Sequence, residues 1–107
     1  MFKKIIREKT HRLPLNLYIG KNVISFTLCI EGRKELFISK STFEIFNQFL
    51  LDELKKHDCS AYVYLFMPDH AHLLIMGNNF DSKIKICVDR FKQKTGFWLS
   101  HNINYIK

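Results

Sequence analysis

The chain has 107 residues, room for one domain with a single modest core. Apolar residues make up 47% of it and charged residues 25%, the balance of a soluble folded protein, and no apolar run approaches the roughly 18 residues that a membrane span needs. Seventeen Lys and Arg against ten Asp and Glu leave a formal charge of +7, a surplus that favours a polyanionic partner, nucleic acid ahead of membrane because no amphipathic membrane helix stands out.

Residues 1–20, MFKKIIREKTHRLPLNLYIG, are basic and lack the apolar stretch and small-residue cleavage site of a secretory signal, so the reading is a cytoplasmic protein. Pro14 and Gly20 make this stretch an N-terminal arm leading to a core domain over 21–107. In NVISFTLCIEG, Ile24, Phe26, Leu28 and Ile30 alternate with Ser25, Thr27 and Cys29, the period of a strand. Gly32 closes it, and GRKELF supplies a basic turn.

Ser41 and Glu44 form a capping box ahead of Phe43, Phe46, Phe49, Leu50 and Leu54, which predicts a helix over about 42–57. CSAYVYLFM returns to alternation, Pro68-Asp69 reverses the chain, and HAHLLIMG follows as an antiparallel partner. From Asp81, read as an N-cap, Ile84, Cys87, Val88, Phe91 and Trp98 line one side of a second helix that Gly96 frays or ends. Cys29, Cys59 and Cys87 contain no CxxC pair, and their odd number argues against a disulfide framework.

Strand, helix, strand, strand, helix are the first five elements of the ferredoxin-like split βαβ plan, an α+β fold with an antiparallel sheet. The fourth strand and the C-terminal helix are missing from the pattern or only hinted at by HNINYIK. Without that strand, the edge of the first strand is expected to lie open.

His70 and His72 raise the question of function. Two residues apart in a strand, they project from one face, where two imidazoles can converge on a metal ion. Leu74 and Met76 share that face, while Ala71, Leu73 and Ile75 point toward the helices. Two ligands do not complete a coordination shell; Asp69 is positioned either to add an oxygen or to make the turn. His11, His57 and His101 have no local partner. No Ser-His-Asp order, phosphate-cradling Gly loop or HExxH helix is present.

VYLFMPDHAHLLI, a strand ending in Met-Pro-Asp followed by His, a small hydrophobic residue and His, resembles the HUH signature of single-tyrosine transposases, in particular the REP-associated branch. HRLPLNLY, ISFTLCIEGRKELF and FKQKTGFWLS are similar to the family's opening strand, Arg-containing turn and second helix, so the resemblance runs from about residue 11 onward. It implies a prokaryotic mobile-element enzyme of DNA transposition and recombination, acting as a homodimer on single-stranded or hairpin DNA, with no membrane partner. It further implies that His70 and His72 bind a divalent ion, Mg or Mn, while a tyrosine attacks the scissile phosphate and is left esterified to the 5′ phosphate.

The family's nucleophilic tyrosine and third metal ligand lie well downstream of the histidine pair, on a helix after the fourth strand. Tyr105 does not match that position. The nucleophile is therefore expected beyond Lys107, in a chain truncated at its C-terminus. Arg12, Lys21, Arg33, Lys34, Lys92 and Lys94 are the candidate phosphate contacts, with Tyr18 or Phe97 available to stack on unpaired bases. Two other readings stay open: a non-catalytic remnant that binds single-stranded or hairpin DNA, and a small ferredoxin-like domain that holds zinc with a partner chain.

Overall fold

A computed structural model describes residues 6–8, 15–30 and 40–102. The elements are β1 (Ile6–Glu8), a 3-10 turn (Leu15–Tyr18), β2 (Val23–Ile30), α1 (Lys40–Lys56), β3 (Cys59–Met67), β4 (His70–Gly77) and α2 (Ile84–Asn102). All strand pairs are antiparallel, in the order β1-β2-β4-β3. Strands β2 and β3 therefore run parallel with β4 between them, joined through α1, which is the split βαβ arrangement. The fold is α+β.

Alternation along the strands decides what the core contains. Ile24, Phe26 and Leu28 of β2 and Ala71, Leu73 and Ile75 of β4 are buried, on the face that both helices cover. From α1 come Phe46, Leu50 and Leu54; from α2, Ile84, Cys87, Val88, Phe91 and Leu99. Phe46 packs edge-on against Trp98 at 5.6 Å and lies 6.5 Å from Phe66, which in turn sits 6.2 Å from Phe91. Aromatic rings from α1, α2 and β3 thus meet at offset and T-shaped angles, the arrangement their quadrupoles favour.

A bulge lets β3 join this core along its whole length. The register passes from Ala61 opposite Ile75 to Val63 opposite Leu74, so Tyr62 is the extra residue. Without it, Cys59 and Ala61 would lie on the opposite face from Tyr64 and Phe66. With it, all four turn toward the helices, and Val63, Leu65 and Met67 turn the other way.

The N-terminal stretch read as an arm contributes two pieces of structure. Ile6–Glu8 pairs with Leu28–Ile30 and covers part of the β2 edge expected to lie open, taking the position beside β2 that the fourth strand of the split βαβ plan would occupy. Tyr18 is buried in the core, 6.2 Å from Phe26. The pattern IRE is too short to announce a strand; the unpaired edge of β2 supplies the reason for it to pair.

Helix α2 starts at Ile84, later than the Asp81 cap predicts. The buried Ser82 hydroxyl instead closes the loop, donating to the Asp58 carbonyl at 2.5 Å and accepting from the amides of Asn78 and Asn79. Lys83 provides the first helical carbonyl, accepting from the Cys87 amide. The helix also runs through Gly96, because Thr95 and Leu99 on either side are fully buried and tie it to the core.

Two glycines mark opposite packing limits. A Cβ on Gly77 would meet the Gly20 carbonyl oxygen at 1.8 Å, whereas one on Gly96 would meet nothing within 4 Å. Gly77→Ala is expected to destabilise by about 2 kcal/mol or more, since backbone must move. Gly96→Ala should stabilise by about 0.5–1 kcal/mol. Urea denaturation of both variants checks the opposite signs; equal signs would contradict the packing described.

Candidate functional site

The strand that carries the two histidines is central in the sheet, paired on both sides, which holds its register firmly. His72 lies opposite Thr27 of β2 and Leu65 of β3; His70 lies opposite Cys29 and Met67. All of these project from the sheet face that the helices leave uncovered, the face predicted for the pair. Their rings are 4.9 Å apart between centroids and close to perpendicular.

Each imidazole is held through one nitrogen. His70 Nδ1 is 2.7 Å from Asp69 Oδ1, and His72 Nδ1 is 3.3 Å from Thr27 Oγ1. A carboxylate on Nδ1 selects the tautomer whose Nε2 carries the free lone pair, the same orienting role that carboxylates play behind metal-bound histidines. Both Nε2 atoms are left for another partner. The residues around them are apolar and exposed: Val63 is 56% and Leu65 51% accessible. Among the described residues, no group of three or more His, Cys, Asp or Glu side chains can hold a metal ion, so the pair offers two ligands rather than a closed site.

The family model described as "Transposase IS200 like" matches residues 21–107. The chain belongs to the IS200-like transposase family. No curated protein sequence matches it. As an IS200-like transposase, it falls within a family of enzymes that cleave and transfer DNA. No described helix is long and apolar enough to cross a membrane.

The other residues singled out in the sequence of this IS200-like chain do not gather at the histidines. Arg12, Arg33, Lys34 and Tyr105 lie outside the described residues. Lys21 lies eight residues back along the chain from Cys29, the partner of His70, just before the far end of β2. There its ammonium sits 5.0 Å from the centre of the Phe80 ring.

Lys92 and Lys94 belong to the helix layer, on the other side of the sheet. Lys92 lies 3.6 Å from Asp89. Lys94 approaches the buried Glu53 carboxylate at 2.5 Å, where Lys56 at 3.6 Å and His57 at 3.2 Å also converge. Tyr18 is buried, Tyr64 packs on Phe66, and Phe97 stacks on His101 at 4.1 Å. Tyr62 is exposed at the bulge. None of the described tyrosines borders the histidine pair.

Sequence reasoning left Asp69 between two roles and gave Thr27 none. Local sequence shows that Asp69 is next to His70 but not that its carboxylate turns back to the ring. The partnership of Thr27 with His72 depends on a pairing 45 residues apart in the chain.

The Glu53 cluster ties α1 to α2. Burial pushes the Glu53 carboxyl up, but the hydrogen bond and charge of Lys94, with Lys56 and His57, outweigh it and hold the group below the ordinary carboxylate value of 4.5. A lowered folded-state value gives stability that is present above that ordinary value and is lost as pH falls through the folded one. Lys94→Ala should cost about 3 kcal/mol at pH 7, the lower end for breaking a buried pair, because Lys56 and His57 remain. The deficit relative to wild type should shrink as pH falls below the ordinary carboxylate value and Glu53 protonates; urea titrations at pH 7 and pH 3 test this, and an equal deficit at both would contradict it.

Proposed function

We propose that this chain is an HUH-type DNA transposase in which His70 and His72 hold a divalent ion, Mg or Mn, at the open face of the sheet, acting on single-stranded or hairpin DNA. One observation carries the reading: two adjacent imidazoles on an uncovered face, each held at Nδ1, with both Nε2 atoms left to coordinate. The residues fit the group in part. Two neutral imidazoles suit a divalent ion that completes its shell with water, phosphate oxygens and a further protein ligand from outside the described residues.

Such an ion supplies Lewis-acid polarisation of a phosphate oxygen and offsets charge developing on the leaving oxygen. The chain's own side chains do the rest of the work assigned here. Asp69 accepts a hydrogen bond from the Nδ1–H of His70 and fixes its tautomer; the Thr27 hydroxyl holds the His72 ring in place at Nδ1. The nucleophilic tyrosine is assigned outside the described residues, and a second copy of the chain is its proposed partner.

Two measurements test the reading. Single-turnover reaction of labelled DNA hairpins with Mn, using this chain and one extended past Lys107, should give a covalent protein–DNA adduct with the extended chain, abolished by His70→Ala. Cleavage unaffected by loss of both imidazoles would sink the assignment. Independently, Asp69→Asn should weaken Mn binding by about 10–100-fold, the usual cost of losing a carboxylate behind a ligating histidine; unchanged affinity in a Mn relaxation titration would show that Asp69 only makes the turn.

A further inference from the structure

The most exposed large apolar side chain among the described residues is Phe80, 79% accessible, in the loop between β4 and α2. A free phenylalanine at this exposure has no folding role, since it buries almost nothing. Its position is nonetheless fixed. The loop that carries it is closed by the Ser82 hydroxyl, by the Gly20 amide donating to the Ser82 carbonyl at 2.9 Å, and by Asn78 and Asn79 side chains on the Asp58 carboxylate. Lys21 lies over the ring at 5.0 Å. Beside it, Ile19 is 49% exposed and pairs through its backbone with Lys83, whose side chain is also exposed.

A solvated aromatic ring on a loop closed by these bonds, with the Lys21 ammonium over it, has the composition of a stacking platform for an unpaired base, with a phosphate contact alongside. The open sheet face leads to it. From His70 the exposed and half-buried side chains of that face run past Leu74 and Met76 to Val23, two residues from Lys21. We propose that Lys21 and Phe80 form a second contact for single-stranded DNA, in which Phe80 stacks on a base and Lys21 binds a phosphate, while the strand runs along the open sheet face from the His70–His72 end. The inference rests on the proposed DNA-processing role of that face and adds to it a second, remote contact. The charge balance favours the choice of partner: the chain carries +7, and of the acidic side chains at this loop Asp58 is bound by the Asn78 and Asn79 amides.

The test is fluorescence anisotropy with oligothymidylates of increasing length, measured over a range of salt, for wild type, Phe80→Ala, Phe80→Trp and Lys21→Ala. Phe80→Ala should weaken binding about tenfold on long oligomers and little on those too short to span the face. Phe80→Trp should retain affinity. Lys21→Ala should lower the slope of log affinity against log salt by about 0.7, one phosphate's worth on a single strand. Because Phe80 is solvated, its variants should melt at the wild-type temperature. Binding by wild type that Phe80→Ala leaves intact at every length would overturn the inference and leave the proposed function standing. No wild-type binding at low salt would remove both. A fall in oligomer mass on sedimentation of Phe80→Ala, without a length-dependent loss of affinity, would make the ring a contact between copies of the chain and overturn the DNA contact.

Discussion

A slip of β4 by one residue against its neighbours would carry His70 and His72 into the core and turn Ala71, Leu73 and Ile75 out to water. The proposed histidine site depends on that not happening. The central position of β4 prevents it, because β2 and β3 fix its register from both sides and every second residue packs against Phe26, Phe66 and the two helices. Burial of Ala71, Leu73 and Ile75 and exposure of the imidazoles are one event seen from two faces. The Tyr62 bulge belongs to the same solution: it corrects the phase of β3 so that both of its halves contribute to the core while Leu65 and Met67 still flank the histidines.

The two faces have been given different work. On one, aromatic packing and the buried Glu53 carboxylate, gripped by Lys94 with Lys56 and His57, lock α1 to α2. Cations recruited to neutralise a buried carboxylate are less available to a phosphate, and these sit across the sheet from the histidines. On the other, the polar side chains near the pair hold imidazole nitrogens, and their apolar neighbours lie exposed. A nucleic-acid surface on that face would rest less on lysine density than the net charge suggests and more on a metal at one end and a rigid aromatic ring at the other.

Much of this was legible from periodicity. The faces of β2 and β4, the two helices, the hairpin at Pro68-Asp69 and the pairing of His70 with His72 all follow from spacings of two or of three and four. What stayed hidden needed contacts distant in the chain. Ile6–Glu8 is a strand because β2 leaves an edge to fill; the helix starts past Asp81 because the Ser82 hydroxyl is tied to the Asp58 carbonyl across the loop; Thr27 holds His72 because β2 and β4 are neighbours. Lys94 reads as a surface cation until Glu53 is found buried opposite it. Tyr18 and Phe97 were reasonable stacking candidates by composition, yet one is buried and the other stacks on His101, while the most exposed of the described rings, Phe80, sits in a loop without a pattern to mark it.

The central claim is that the open sheet face, not the helix layer, meets DNA and metal. A methyl-resolved NMR titration of the protein with single-stranded DNA and Mg tests it most directly. The account predicts shifts at Val63, Leu65, Met67 and Met76 on the histidine face, with Leu51 and Ile86 on the outer sides of the helices unmoved. Shifts confined to Leu51 and Ile86, with the histidine-face methyls unchanged, would contradict it.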